Sequence, residues 1–351
     1  MKSTRETSMK KAHAILKSIG SVAMILLVPL VCGEIFVRLF IPQWIMPRFV
    51  ESAPWGIRKN LPDVDGIHDT PEFKYPVRTN SQGFRGNREF ESMPAPNAYR
   101  IVILGDSVSF GYGVEEEKTF SAVLERKLRV IGVNAEVINM SVSGFGTAEQ
   151  LIQYENVGMK YHPQLVILGY FTNDPLNNAV SRLYDVQDGK LIRQKTNFQP
   201  GIIIRDRLHK VPFYTFLSQH SHLLNFFREK ISGIIWTKYA QNAVDDARPG
   251  VSGLSGKEKV LTVLLLSELA QRVTASGAKF IVVDIPDKNL DPNLPREGLK
   301  GLDLNIVDVV GALDAAAKSG EKLYYDVDSH PNSKGHEIIA QEIFNKIRVH
   351  D

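Results

Sequence analysis

Short unbroken apolar runs alternate, from residue 100 onward, with stretches whose apolar positions recur every three or four residues. The first run, Ile101–Leu104, is β-branched and continuous, which suits a strand covered on both faces. FSAVLERKLRVI (120–131) follows with helical spacing. The pattern repeats as strand 136–142 and a helix over 147–161, then strand 165–171. Further on come helix 257–276, strands 279–285 and 305–310, a short helix, strand KLYYDV (322–327) and a final helix over 334–349. Strands alternating with helices predict an α/β chain with a doubly wound parallel sheet.

Two regions break the alternation. Residues 42–99 are rich in Pro, Gly, Asn and charge with little periodicity, and read as an extended segment leading into the main domain at 100–351. Residues 175–256 form an insertion or cap, placed to lie over the edge where strand 165–171 ends. Long excursions at such an edge commonly carry function, although a packed helical cap fits equally.

From Ile19 to Ile41 the chain is apolar apart from Glu34 and Arg38. A helix of that length reaches roughly 35 Å, enough to span a bilayer. Glu34 and Arg38, four apart, can pair on one face. No small-residue cleavage site follows, and Val31 before Cys32 is too bulky for a lipoprotein signal, so 18–41 reads as an uncleaved transmembrane anchor. The basic tail, 1–17, carries five Lys and Arg against one Glu. It predicts a cytoplasmic N-terminus, a single pass through the inner membrane and a periplasmic main domain.

Composition adds exclusions. The tail's net +4 within a whole-chain +3 leaves the rest at −1, which argues against nucleic acid as a partner. Cys32 is the single cysteine, so neither an intrachain disulfide nor a cysteine-based metal site is available.

Candidate chemistry gathers where the predicted strands end, the edge at which open α/β sheets bind ligands. "GDS" places Ser107 after the first strand, "VSGFG" places Gly144 after the second, and "FTND" places Asn173 after the third. "DSHPNSKGH" puts His330 just before a helix capped by Asn332 or Ser333. Acyl transfer through a side-chain nucleophile needs these types: a hydroxyl, a base, an orienting acid and donors for an oxyanion.

The order and spacing of these motifs over residues 100–349 resemble the SGNH/GDSL hydrolase family. The resemblance implies a flavodoxin-like three-layer fold, with Ser107 as nucleophile and His330 as base. Ser107, Gly144 and Asn173 would form the oxyanion hole. "NSQGFRG" upstream is similar to a segment found in membrane-anchored members. Two departures stand out: Phe171 replaces the usual glycine of the third motif, and Val327 occupies the usual acid position. Asp328, two residues before His330, is the favoured triad acid and Asp326 the alternative; a continued strand would place both on one face.

The implied activity is hydrolysis of small O-acyl esters, often acetyl groups on carbohydrate, with no cofactor. An O-acyltransferase fed by a membrane partner and modifying an exported glycan is the alternative, and a non-catalytic glycan-binding protein a third reading. Other motif readings are weaker. Residues 105–109 lack the second glycine of a G-x-S-x-G elbow, and Gly111-Tyr112-Gly113 lacks a phosphate-loop lysine. Asp326, Asp328, His330 and His336 as metal ligands is disfavoured against acid–base or packing roles, so no metal is expected. Asp106 is expected to tie its loop by hydrogen bonds, and Arg85 either to face the active edge or to form a structural ion pair.

Overall fold

In a computed structural model, residues 2–199, 201–243, 256–292, 294–302 and 304–349 are described. Pro200 and 244–255, within the expected insertion, lie outside them, as do Met1 and the last two residues. The chain opens with α1 (Lys2–Phe40) and two short antiparallel pairs, β1 (Val50–Ser52) with β2 (Arg58–Asn60) and β3 (Asp65–Asp69) with β4 (Lys74–Arg78). The main domain then runs β5 (Tyr99–Gly105), α2 (Ser107–Phe110), α3 (Phe120–Val130), β6 (Ala135–Asn139), α4 (Thr147–Asn156) and β7 (Leu165–Tyr170). The insertion holds α5 (Asp174–Ser181), the hairpin β8 (Tyr184–Gln187) and β9 (Lys190–Arg193), α6 (Ile202–Leu208), α7 (Tyr214–His220) and α8 (His222–Ala243). The domain resumes with α9 (Gly256–Ala275), β10 (Lys279–Asp284), β11 (Asn305–Asp308), α10 (Val310–Lys318) and α11 (Ser333–Val349).

The central sheet has five strands in the order β11-β10-β7-β5-β6, every pair parallel. Successive residues of β5 serve opposite layers. Ile101 and Ile103 pack with Phe120, Leu124, Ile339 and Ile343 of α3 and α11; Val102 and Leu104 pack with Leu151, Leu265 and Leu269 of α4 and α9. The sheet is therefore covered on both faces, which explains its unbroken apolar strands. Shortening Ile103 to alanine in such packing costs about 2–5 kcal/mol. Counted from β5, the order is the doubly wound one whose direction reverses between the first and third strands, leaving a crevice between β5 and β7.

Three expectations are corrected. Residues 322–327 form no strand: their backbone turns on itself, with Tyr325 N–H donating to the His330 carbonyl and Asn332 N–H to that of Leu323. The apolar signal came from Leu323 and Tyr324, which are buried as anchors of a loop, Tyr324 donating to the Pro286 carbonyl at 2.9 Å. Residues 42–99 are built rather than merely extended: the two hairpins carry their own cluster, in which Phe49, Val50, Val64, Tyr75 and Val77 bury against Phe110 and Ile202. The helix expected over 147–161 stops at Asn156 and passes into a separate tight turn at Gly158–Tyr161.

α1 spans 39 residues, and the expected Glu34–Arg38 pair is present at 3.0 Å. Glu34 also accepts N–H groups of His222 and Leu223, both at 2.9 Å, and so caps the start of α8. The side chains of Ile19, Val22 and Ala23 are not among those described. Among the described residues no helix is long and apolar enough to cross a membrane.

Candidate active site

β5 ends in Gly105, whose φ of 156° and crowded surroundings exclude a side chain: a Cβ there would lie 2.2 Å from Ser109 Oγ. This close approach turns the chain sharply from the strand into α2. Asp106 caps the turn, its Oδ1 accepting Val108 N–H at 2.9 Å. Ser107, first residue of α2, thus stands at the carboxyl end of β5, beside the crevice.

His330 Nε2 lies 2.7 Å from Ser107 Oγ. The other ring nitrogen, Nδ1, lies 2.5 Å from Asp328 Oδ1, which also accepts the His330 backbone N–H at 2.9 Å. Nδ1 donating to a carboxylate leaves Nε2 as the acceptor facing the hydroxyl. Burial raises the Asp328 carboxyl, but the hydrogen bonds from the His330 ring and backbone and the electrostatic attraction of that ring outweigh it and hold the group below its ordinary value. Asp326, the alternative acid, points away: it is exposed and pairs with Lys322 at 2.7 Å. No strand carries 326 and 328 on a common face, because the loop turns there.

Gly144 lies in the turn after β6 and Asn173 in the turn after β7, so both flank Ser107 at the ends of adjacent strands. Gly144 has φ 78°, a left-handed conformation glycine adopts without penalty. The Asn173 side chain lies near Asp106 and helps hold that carboxyl down against its burial. Asp106 and Asp174 are wholly buried. Burial raises both carboxyls, and for Asp174 the neighbouring Asp106 charge adds to it, so Asp174 holds its proton well above the usual carboxylate range. Asp106 therefore does what the sequence suggested and organises the loop.

The rings of Tyr112 and Phe171 lie 4.5 Å and 6.4 Å from that of His330. Phe171, the departure from glycine, thus packs near the histidine. Tyr112 Oη is 3.4 Å from Nε2 of buried His68, whose Nδ1 lies 3.1 Å from Tyr75 Oη. Burial holds His68 down at about 4. His68 and the residues of the β3–β4 turn escaped the sequence reading, since nothing in a weakly periodic segment marks them as neighbours of the site, and Tyr112 was read only as part of a glycine-flanked loop.

The remaining candidates have structural surroundings. Buried His336 accepts the Phe120 N–H through Nδ1 at 3.2 Å and stacks on that ring. Arg85 is buried and donates to the carbonyls of Val114, Arg78 and Pro76, with its guanidinium 4.9 Å from the Phe110 ring centre. Asn332 Oδ1 caps α11, accepting from Lys334 and Gly335. Among the described residues no group of three or more His, Cys, Asp or Glu could hold a metal ion.

A family model described as GDSL-like Lipase/Acylhydrolase matches residues 101–343. An arylesterase of Vibrio mimicus is 30% identical over 93 residues, covering 26% of this chain and 46% of that protein, so the match spans under half of that relative. Among solved structures, the psychrotrophic esterase EstA of Pseudoalteromonas sp. aligns at 17% identity and TM-score 0.38, covering 72% of this chain and 97% of its own. LAE5, an alpha/beta hydrolase enzyme from the Lake Arreo metagenome, aligns at 15% and 0.43, covering 72% and 96%.

Proposed function

Because the chain belongs to the GDSL-like lipase/acylhydrolase family, we propose that it cleaves small O-acyl esters through Ser107, His330 and Asp328. The observation that carries this reading is the continuous contact from Ser107 Oγ to His330 Nε2, and from His330 Nδ1 to Asp328. Ser107 Oγ attacks the acyl carbonyl carbon while its proton passes to Nε2. The carbonyl oxygen takes the negative charge, stabilised by the N–H groups of Ser107 and Gly144 and the Asn173 amide. The tetrahedral intermediate collapses, the C–O bond to the alcohol breaks, and the alcohol leaves with the proton from His330. Water then attacks the acyl-enzyme with His330 again as base, releasing the acid and restoring Ser107. Asp328 keeps the ring in the tautomer this needs and stabilises its charged form.

A small acyl group, with acetyl on carbohydrate as the favoured case, accords with aromatic rings closely flanking His330. The test is hydrolysis of p-nitrophenyl acetate and of acetylated oligosaccharides by the full chain in detergent, with Ser107→Ala alongside. Free acid as the main product is expected even when oligosaccharide acceptors are present. Acylated sugar as the main product would replace hydrolysis by transfer.

The reading includes anchoring by residues 18–41 with the main domain in the periplasm. Supporting it, residues of α1 such as Leu26, Leu30, Phe36 and Leu39 are exposed rather than covered by the fold. Exposed apolar residues continue on α6–α8, including Ile204, Phe216, Phe227 and Ile234. A reporter active only in the periplasm, fused after Asp351, should be active; activity of a cytoplasm-only reporter would reverse the orientation.

A further inference from the structure

We propose that residues 42–99, which lie before the stretch matched by the family model, act as a clamp that positions the catalytic groups, with Arg58 and Glu72 as its two contact points. The proposal rests on the Ser107 hydrolase reading.

Glu72 sits in the turn joining β3 to β4. One of its carboxylate oxygens accepts Val327 N–H at 2.9 Å and the other accepts Asp328 N–H at 2.7 Å. Val327 is itself exposed, and 326–328 form no strand, so no sheet ladder fixes this backbone. Two charge-assisted bonds from one carboxylate supply what the ladder does not. They fix the peptide units from which the Asp328 side chain reaches His330. The next residue, Phe73, places its ring 4.6 Å from that of Tyr325 and 5.6 Å from that of Tyr112, the ring against His330. The hairpin therefore supports the base both through its acid and through an aromatic neighbour.

Arg58, on β2, works on the opposite flank. Its guanidinium donates to the Gly144 carbonyl at 2.6 Å and to buried Glu149 at 3.2 Å. Glu149 in turn accepts Gly146 N–H at 3.1 Å. Gly144 has the widest backbone freedom of any residue type and is the one whose N–H is assigned to the oxyanion. Holding its carbonyl removes much of that freedom, so the donor is aimed before substrate arrives. Asn60 extends the same contact, donating to the Ser141 carbonyl at 2.9 Å. Arg58 and Asn60 on one flank and Glu72 on the other thus let one irregular segment hold the oxyanion turn and the acid loop.

Arg58 and Glu72 are positioning residues, and their loss should lower kcat with little change in KM. In the full chain, Glu72→Ala is expected to reduce kcat for p-nitrophenyl acetate about tenfold with KM within twofold, and Glu72→Gln, which keeps one acceptor oxygen, to fall between. Arg58→Lys, which keeps a positive charge beside Glu149, should also lower kcat about tenfold. Lys74→Ala, on the same hairpin and paired with Asp69, should stay within twofold of wild type. The rate constant for phosphonylation of Ser107 by an activated phosphonate, which does not depend on the folded fraction, should follow the same order. Wild-type rates in Glu72→Ala and Arg58→Lys, with wild type itself reactive, would overturn the clamp and leave the hydrolase reading intact. An unreactive wild type would overturn both.

Discussion

Residues 42–99 and the excursion after β7 both stand outside the strand–helix alternation, and they stand in different relations to the site. The first segment is almost without periodicity, yet it reaches Gly144 through Arg58 and the acid loop through Glu72. The second is longer and largely helical. Its opening helix, α5, touches the oxyanion turn, where Asn177 donates to the carbonyls of Gly144 and Phe145 at 3.3 Å. Beyond α5, the described bonds include Asp206 with Arg48 and Ser52, Arg205 with Val50, Gln199 with Ala53 and Ile57, and His222 with Gln43. These bonds tie part of the excursion to the segment that packs on the site. Length and position at a sheet edge say where a loop starts, whereas hydrogen-bonding side chains decide what it holds.

The largest expected effect separates the two aspartates of the acid loop. Asp328→Asn should lower kcat more than about tenfold, because the ring loses the partner that fixes its tautomer, whereas Asp326→Asn stays within twofold. Steady-state kinetics on both folded variants checks this, and a greater loss in Asp326→Asn would move the acid assignment.

A smaller effect tests the contrast between regions. Asp206 accepts from Arg48 at 2.8 Å and from both Ser52 N–H and Oγ–H. Asp206→Ala should cost about 1–2 kcal/mol of stability, read from urea unfolding, with kcat within twofold. A loss of activity matching that of Glu72→Ala would erase the distinction drawn between the two regions.

The smallest effect is a pH dependence. Burial holds His68 at about 4 in the fold, against about 6.5 in an unfolded chain. Below 6.5 the unfolded chain therefore binds a proton that the folded one refuses. Stability from this residue is full above that pH and declines as the pH falls towards 4. His68→Asn should flatten the urea midpoint over that window. His209, on the excursion, is also held near 4, by burial and by neighbouring arginines. It is half-exposed, so solvent screening should make His209→Asn the weaker change. Equal flattening by the two variants would contradict the contrast in burial.

The sheet was legible because its strands are buried on both faces and therefore read as unbroken β-branched runs. Ser107, Gly144 and Asn173 were legible as neighbours for a related reason: each follows a strand of one parallel sheet, so strand order alone brings them to one edge. The same reasoning failed at 322–327, where apolar Leu323 and Tyr324 imitate a strand while their backbones close a loop. It failed again in 42–99, whose strands of three to five residues are too short for periodicity to register. Glu72 and Arg58 act through charge on backbone groups distant in sequence, and no local pattern encodes such a contact.

Attack by Ser107, activated by His330, is the step on which the proposed hydrolysis depends. Intact-protein and peptide mass spectrometry of the full chain, treated with an activated alkyl phosphonate, tests it most directly. One adduct is expected, on the peptide containing Ser107, absent in Ser107→Ala and formed at least about a hundredfold more slowly in His330→Ala. An adduct elsewhere, or ester hydrolysis undiminished in Ser107→Ala, would contradict it.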